Sequence, residues 1–217
     1  MPDQSSSAPT PRAPTTYDEE LLGAESHAIL TTQSDPERIE RVRRELETGF
    51  QALARIGPAV SIFGSARVDE EDPAYQLARR TAHLLGGAGF AVITGGGQET
   101  NAYVDLAIRF HYFYTRKVMF VRYAFAFVVF PGGFGTLDEL YEALTLIQTG
   151  KIRHFPVVLV ERSYWRGLMD WTRDRLLAEA KIAPEDLELM RLSDDPAEIV
   201  EIVEHYAVRQ GLVPARG

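Results

Sequence analysis

Cysteine is absent from the 217-residue chain, so no disulfide, thiolate nucleophile or cysteine metal ligand is available to it. Positive charge is scarce as well: 23 Lys and Arg stand against 31 Asp and Glu, a net charge of −8. That deficit excludes general attraction to nucleic-acid polymers or anionic membranes, so any phosphate site must be local and its ligand small. No apolar run approaches the length of a membrane span. Met1 to Thr16, rich in Ser, Pro, Thr and Ala, lacks the apolar centre of a signal peptide, and a cytoplasmic protein with a weakly ordered leader over 1–33 is expected. The five histidines fall at no ligand spacing, which argues against a metal site. Lysine is down to Lys117, Lys151 and Lys181.

A hydrophobic content of 45% suffices for the core of one domain, expected over 58–217 after an N-terminal helix in 34–57. Ser34-Asp35-Pro36-Glu37 reads as the start of that helix, with Ile39, Val42, Leu46, Phe50 and Leu53 as its apolar stripe. Buried strands are expected at Ala59–Phe63, Phe90–Ile93, Phe125–Phe130 and Pro156–Val160. Helical patterns follow them from Asp72-Pro73, Thr136, Ser163 and Asp195-Pro196. Between the second and third strands, Tyr103 to Phe110 reads as extended and Tyr112 to Val121 as a helix carrying Arg116-Lys117. The alternation predicts an α/β fold, a doubly wound parallel sheet with helices on both faces, which binds ligands off the carboxyl ends of its strands.

Three glycine clusters fall at those ends: Gly64-Ser65, Thr94-Gly95-Gly96-Gly97, and Pro131-Gly132-Gly133-Phe134-Gly135-Thr136. The third reads as strand, bare turn and helix start, an arrangement that offers backbone N–H groups to a phosphate at the positive end of a helix dipole. Glu139 adds a carboxylate beside it. Thr136-x-x-Glu139 is also a capping box, in which the two side chains merely satisfy orphan amides. The plain reading of Arg116-Lys117 is a solvated helix face, and that of Gly95 a permissive turn. Asp138, Glu139 and Glu142 need no metal, because acidic residues suit the first turn of a helix. Trp165 and Trp171 read as core or interface, and Phe110 to Tyr114 as core, interface or a wall for a purine. One joint is short: an extended Tyr103–Phe110 would leave too few residues after Gly97 for a parallel crossover, which suggests a segment missing between Gly97 and Gln98.

From about Ala59 to the last helix, the chain resembles the LONELY GUY type cytokinin riboside 5′-monophosphate phosphoribohydrolases, long mislabelled as lysine decarboxylases. Pro131-Gly132-Gly133-x-Gly135-Thr136-x-x-Glu139 completes the signature PGGxGTxxE. Arg116-Lys117, Gly64-Ser65 and Thr94 to Gly97 match further positions. The chain departs from the family after the triple glycine, where members continue into a helix and a strand. The resemblance implies a Rossmann-like fold and cleavage of the N-glycosidic bond of a nucleoside 5′-monophosphate, AMP or an N6-substituted derivative, to free base and ribose 5-phosphate. It implies Glu139 and Arg116 as catalytic residues, the 5′-phosphate on Gly132 to Thr136, Lys117 as a helper, no cofactor, and at least a homodimer. A broader nucleotide nucleosidase and a non-catalytic nucleotide carrier are the alternatives. A pyridoxal phosphate decarboxylase is not favoured, since none of the three lysines stands in a cofactor motif.

Overall fold

The structure is a computed structural model that describes residues 15–22, 34–95, 104–152 and 155–212. It divides into two compact units, Met1–Ala54 with Val104–Met119, and Arg55–Tyr103 with Phe120–Gly217.

The larger unit is built on five strands: β1 (Ala59–Phe63), β2 (Ala91–Thr94), β3 (Ala124–Val129), β4 (Val157–Leu159) and β5 (Met190–Leu192). All pair in parallel, in the order β2-β1-β3-β4-β5. Every residue of β1, β3 and β4 is buried, which is why these strands read as near-continuous apolar runs, with Ser61 the one polar position, rather than alternating ones. On one face, Phe63, Phe127, Val129 and Leu159 pack with Leu140 and Ile147 of α5 (Phe134–Gln148) and Trp165 of α6 (Arg162–Trp171). On the other, Val60, Ile62, Val128 and Val158 pack with Leu85 of α3 (Pro73–Gly87) and Ile199 and Val203 of α7 (Pro196–Arg209). The doubly wound α/β fold expected from the sequence is thus present.

The structure departs from the sequence reading at three places. The described part of Tyr103–Phe110 forms no strand; β2 runs on to β3 through the helix Phe113–Tyr123, and that connection is long enough for a parallel crossover. The crossover argument for a missing segment therefore lapses, while the Gly97–Gln98 junction itself lies outside the described residues. β5 was not anticipated, because Met190-Arg191-Leu192 is too short to show a pattern. The helix expected to be capped by Ser163 begins at Arg162 instead, with Glu161 at its N-cap. Trp171, near its end, is half exposed and lies outside the core.

The smaller unit contains α1 (Tyr17–Leu22), α2 (Asp35–Leu53) and the first turns of α4 (Phe113–Tyr123). Ser34 caps α2 as expected: its N–H donates to the Glu37 carboxylate at 2.7 Å, and Pro36 occupies the first turn. The buried face of α2 follows the expected stripe only in part: Leu53 is buried and Val42, Leu46 and Phe50 are half-buried. Ile39 is 67% exposed, and the inward positions are Arg38, Glu45, Gly49 and Leu53. Charge pairing sets that face. Arg38 meets Asp35 at 2.6 Å and Glu20 at 3.9 Å, while Gly49 leaves room for Met119, whose sulfur would lie 2.7 Å from an added Cβ.

Glu45 secures the entry to α4. Its carboxylate accepts from the His111 N–H at 3.0 Å, the Tyr112 N–H at 3.3 Å and the Thr115 hydroxyl at 2.7 Å, and the His111 Nδ1 lies 2.8 Å away. Asp18 of α1 accepts from the Phe113 N–H at 3.0 Å. Two carboxylates from other helices therefore take the orphan donors of one helix start, where the dipole also favours them. Removing Glu45 would leave several donors buried. Glu45→Ala is expected to cost about 2 kcal/mol, lowering the melting temperature by roughly 4–8 °C, with Glu45→Gln intermediate; an unchanged melt in both variants would refute this role. Among the described residues, no helix is long and apolar enough to cross a membrane.

Candidate active site

The parallel sheet brings three glycine segments to one edge. Gly64 and Ser65 follow β1, Gly95 follows β2, and Pro131-Gly132 follows β3, the strand beside β1. Gly96 and Gly97 lie outside the described residues. Thr94 ends β2 opposite Ile62 and is exposed. Gly95 is fixed by packing, since an added Cβ would lie 2.4 Å from the Phe120 ring.

The β1 and β3 turns are zipped together. The Phe130 N–H donates to the Phe63 carbonyl at 2.7 Å, and the Ser65 N–H donates to the Pro131 carbonyl at 2.9 Å. The Ser65 hydroxyl turns back on its own loop and accepts from the Arg67 N–H at 3.1 Å. Gly64 approaches Phe130 so closely that a Cβ would lie 3.0 Å from that residue's own Cβ. Gly132 is tighter still: a Cβ there would lie 2.1 Å from the Thr136 hydroxyl and 3.1 Å from the Ser65 nitrogen. Gly133 and Gly135 differ. Both are exposed, and among the described residues a Cβ on either would meet nothing within 4 Å. Crowding explains the first glycine of the turn and leaves the other two unexplained by packing among the described residues.

α5 begins at Phe134 with Gly133 as N-cap, two residues before the expected start. The Thr136 and Leu137 amides both donate to the Gly133 carbonyl, at 3.0 and 3.1 Å. Thr136 is thus inside the helix, and the capping-box reading of Thr136-x-x-Glu139 is excluded. The amides of Phe134 and Gly135 precede the first intrahelical bond and stand at the positive end of the helix dipole. Thr136 and Glu139, three apart on one side of the helix, are both buried, Glu139 to 4% exposure. Asp138 is exposed, and among the described residues no group of His, Asp and Glu is placed to hold a metal ion. Phe134 projects almost wholly into solvent, at 93% exposure. Tyr141, further along α5, is held above the usual phenol range by burial, so it stays neutral and is no candidate base.

One participant was missed in the sequence. The Tyr164 hydroxyl, from α6, donates to the Gly132 carbonyl at 2.7 Å. Nothing in the local pattern marks that tyrosine, because its partner is a backbone group of a distant turn.

Arg116 and Lys117 belong to the smaller unit, on the early turns of α4, and both are half buried. The Arg116 guanidinium lies 4.7 Å from the Phe113 ring centre and the Lys117 ammonium 5.8 Å, so one aromatic ring attracts both cations.

Residues 75–203 match the family described as "Possible lysine decarboxylase", more than half of the chain. A probable cytokinin riboside 5′-monophosphate phosphoribohydrolase of Oryza sativa subsp. japonica is 34% identical over 99 residues, 45% of this chain and 39% of that protein. Two cytokinin riboside 5′-monophosphate phosphoribohydrolases of Arabidopsis thaliana are 34% identical over 93 residues and 31% identical over 102. The first comparison covers 42% of both chains, the second 46% of this chain and 47% of the relative. The chain spans less than half the length of these relatives.

Proposed function

Since the chain belongs to the possible lysine decarboxylase family, which includes the LONELY GUY type of phosphoribohydrolase, we propose that it hydrolyses the N-glycosidic bond of AMP or N6-substituted AMP. The products are the free base and ribose 5-phosphate. The observation that carries this reading is a buried carboxylate, Glu139, on the same helix whose start is an exposed glycine turn. A phosphate on the Phe134 and Gly135 amides, with the Gly133 amide and Thr136 beside it, anchors the 5′ end of the nucleotide.

Bond cleavage leaves positive charge on the ribose as the base departs with the electron pair. Glu139, as a carboxylate, stabilises that charge and orients the water that adds to the anomeric carbon, taking its proton. The base leaves with a proton acquired from solvent or a neighbouring donor. Arg116 supplies fixed positive charge for the nucleotide or the leaving base, and Lys117 assists on the phosphate. Gly64, Ser65 and Gly95 line the same strand edge. The active form is at least a homodimer.

The decarboxylase in the family's description finds no support in the lysines of the larger unit. Lys151 follows the carboxyl end of α5, about 22 Å along the helix from the glycine turn, and Lys181 is exposed beyond α6. Neither is placed to bond a cofactor whose phosphate rests on that turn.

Incubation with N6-isopentenyl-AMP, followed by chromatography, is expected to give isopentenyladenine and ribose 5-phosphate in equal amounts. Nucleotide binding measured by calorimetry, with intact substrate at high enzyme concentration, would identify a carrier and overturn the hydrolase reading.

A further inference from the structure

The turn after β4 adopts an unfavourable backbone to place one hydroxyl. Glu161 sits at φ 77° and ψ 78°, left-handed geometry that costs a side-chain-bearing residue about 1 kcal/mol. Its surroundings enforce it. Oδ1 of Asp194 accepts from the Glu161 N–H at 2.6 Å and the Arg162 N–H at 3.0 Å, at the positive end of α6. The Arg162 guanidinium donates to the Leu192 carbonyl at 2.7 Å, tying the turn to β5 as well. Trp165, 1% exposed, donates from its indole nitrogen to the Val160 carbonyl at 2.9 Å and so fixes the rotation of α6. The Tyr164 and Trp165 rings pack edge-to-face with their centres 4.9 Å apart, and the Tyr164 hydroxyl reaches the Gly132 carbonyl.

The peptide it holds joins two glycines. A trans peptide is planar, with its carbonyl and N–H pointing in opposite directions, so fixing the Gly132 carbonyl also fixes the direction of the Gly133 N–H. With no Cβ on either side, a Gly–Gly peptide reverses at little steric cost, and a reversal here would present a carbonyl oxygen where a phosphate needs a donor. We infer that Tyr164 is a positioning residue of the phosphate site, holding the Gly132–Gly133 peptide in its anion-binding orientation. The inference rests on the reading of this turn as the 5′-phosphate cradle. Tyr164 need not touch the nucleotide, and its influence falls on ligands that bear a phosphate.

Tyr164→Phe removes the hydroxyl and keeps the ring against Trp165. Calorimetric titration of the full chain with inorganic phosphate, AMP and adenosine is expected to show phosphate and AMP about ten-fold weaker in the variant, with adenosine binding and the melting temperature unchanged. In turnover, KM for the monophosphate rises about ten-fold while kcat stays within two-fold. Equal phosphate and AMP affinities in the two proteins would overturn the inference and leave the hydrolase reading intact. So would a variant weakened equally toward adenosine, since that outcome marks a structural role. If the unmodified chain binds AMP but releases no base, the hydrolase reading falls and the phosphate titrations alone decide the role of Tyr164.

Discussion

A Glu139→Gln chain is expected to bind AMP within a few-fold of the unmodified affinity while losing about a thousand-fold in kcat. Glutamine keeps the size of the side chain and its carbonyl oxygen, so the surroundings of this buried position are disturbed little. The substitution removes the negative charge that would oppose an oxocarbenium-like ribose and the base that would take a proton from water. Both losses act in the transition state and not on the bound nucleotide, so kcat falls and KM does not rise. The structure sharpens this expectation. With Gly133 as the N-cap and Thr136 already helical, Thr136 and Glu139 form no capping box at the start of α5, and loss of such a box cannot account for lost activity. Retention of a tenth or more of wild-type kcat would remove Glu139 from the mechanism.

The glycines of the turn should separate by the reason each is a glycine. Gly132→Ala drives a methyl to 2.1 Å from the Thr136 hydroxyl and toward the Ser65 amide, so the β1 and β3 turns must part. About 1–3 kcal/mol of stability is expected to be lost, and hydrolysis with it. Gly135→Ala behaves differently. Among the described residues its Cβ meets no atom within 4 Å, and alanine is a better helix former by nearly 1 kcal/mol, so the melt is expected to hold or rise. The same methyl occupies the face assigned to phosphate, and AMP affinity should fall at least ten-fold. A Gly135→Ala chain that is as stable as the original and binds AMP equally well would show that the phosphate lies elsewhere.

How much of this was legible beforehand depended on where the determinants lay along the chain. β1 is found at its expected bounds because Ala59–Phe63, apolar at every position but Ser61, stands between Pro58 and Gly64. The PGGxGTxxE turn and its place after a buried strand were equally plain, since the motif is contiguous. The start of α5 was set two residues late because glycines mask a first helical turn. The inward face of α2 was legible only in part for another reason: apolar periodicity finds Leu53 but does not register a face held by Arg38 and Glu45, whose partners include Glu20 and His111. Glu45 as the anchor of α4, and Tyr164 as the partner of Gly132, are contacts between residues remote in sequence. Neither leaves a local trace. Arg116 and Lys117 stood out only through resemblance, and on α4 they share the Phe113 ring rather than forming a plain solvated stripe.

The central claim is that one helix start holds the nucleotide's phosphate while the same helix presents the carboxylate that acts on its sugar. A crystal structure of the Glu139→Gln chain with N6-isopentenyl-AMP bound tests it most directly. The expected result has phosphate oxygens within about 3 Å of the Phe134 and Gly135 nitrogens and the residue 139 side chain facing the anomeric carbon. A nucleotide bound with its phosphate away from the Gly132–Thr136 turn would contradict the account.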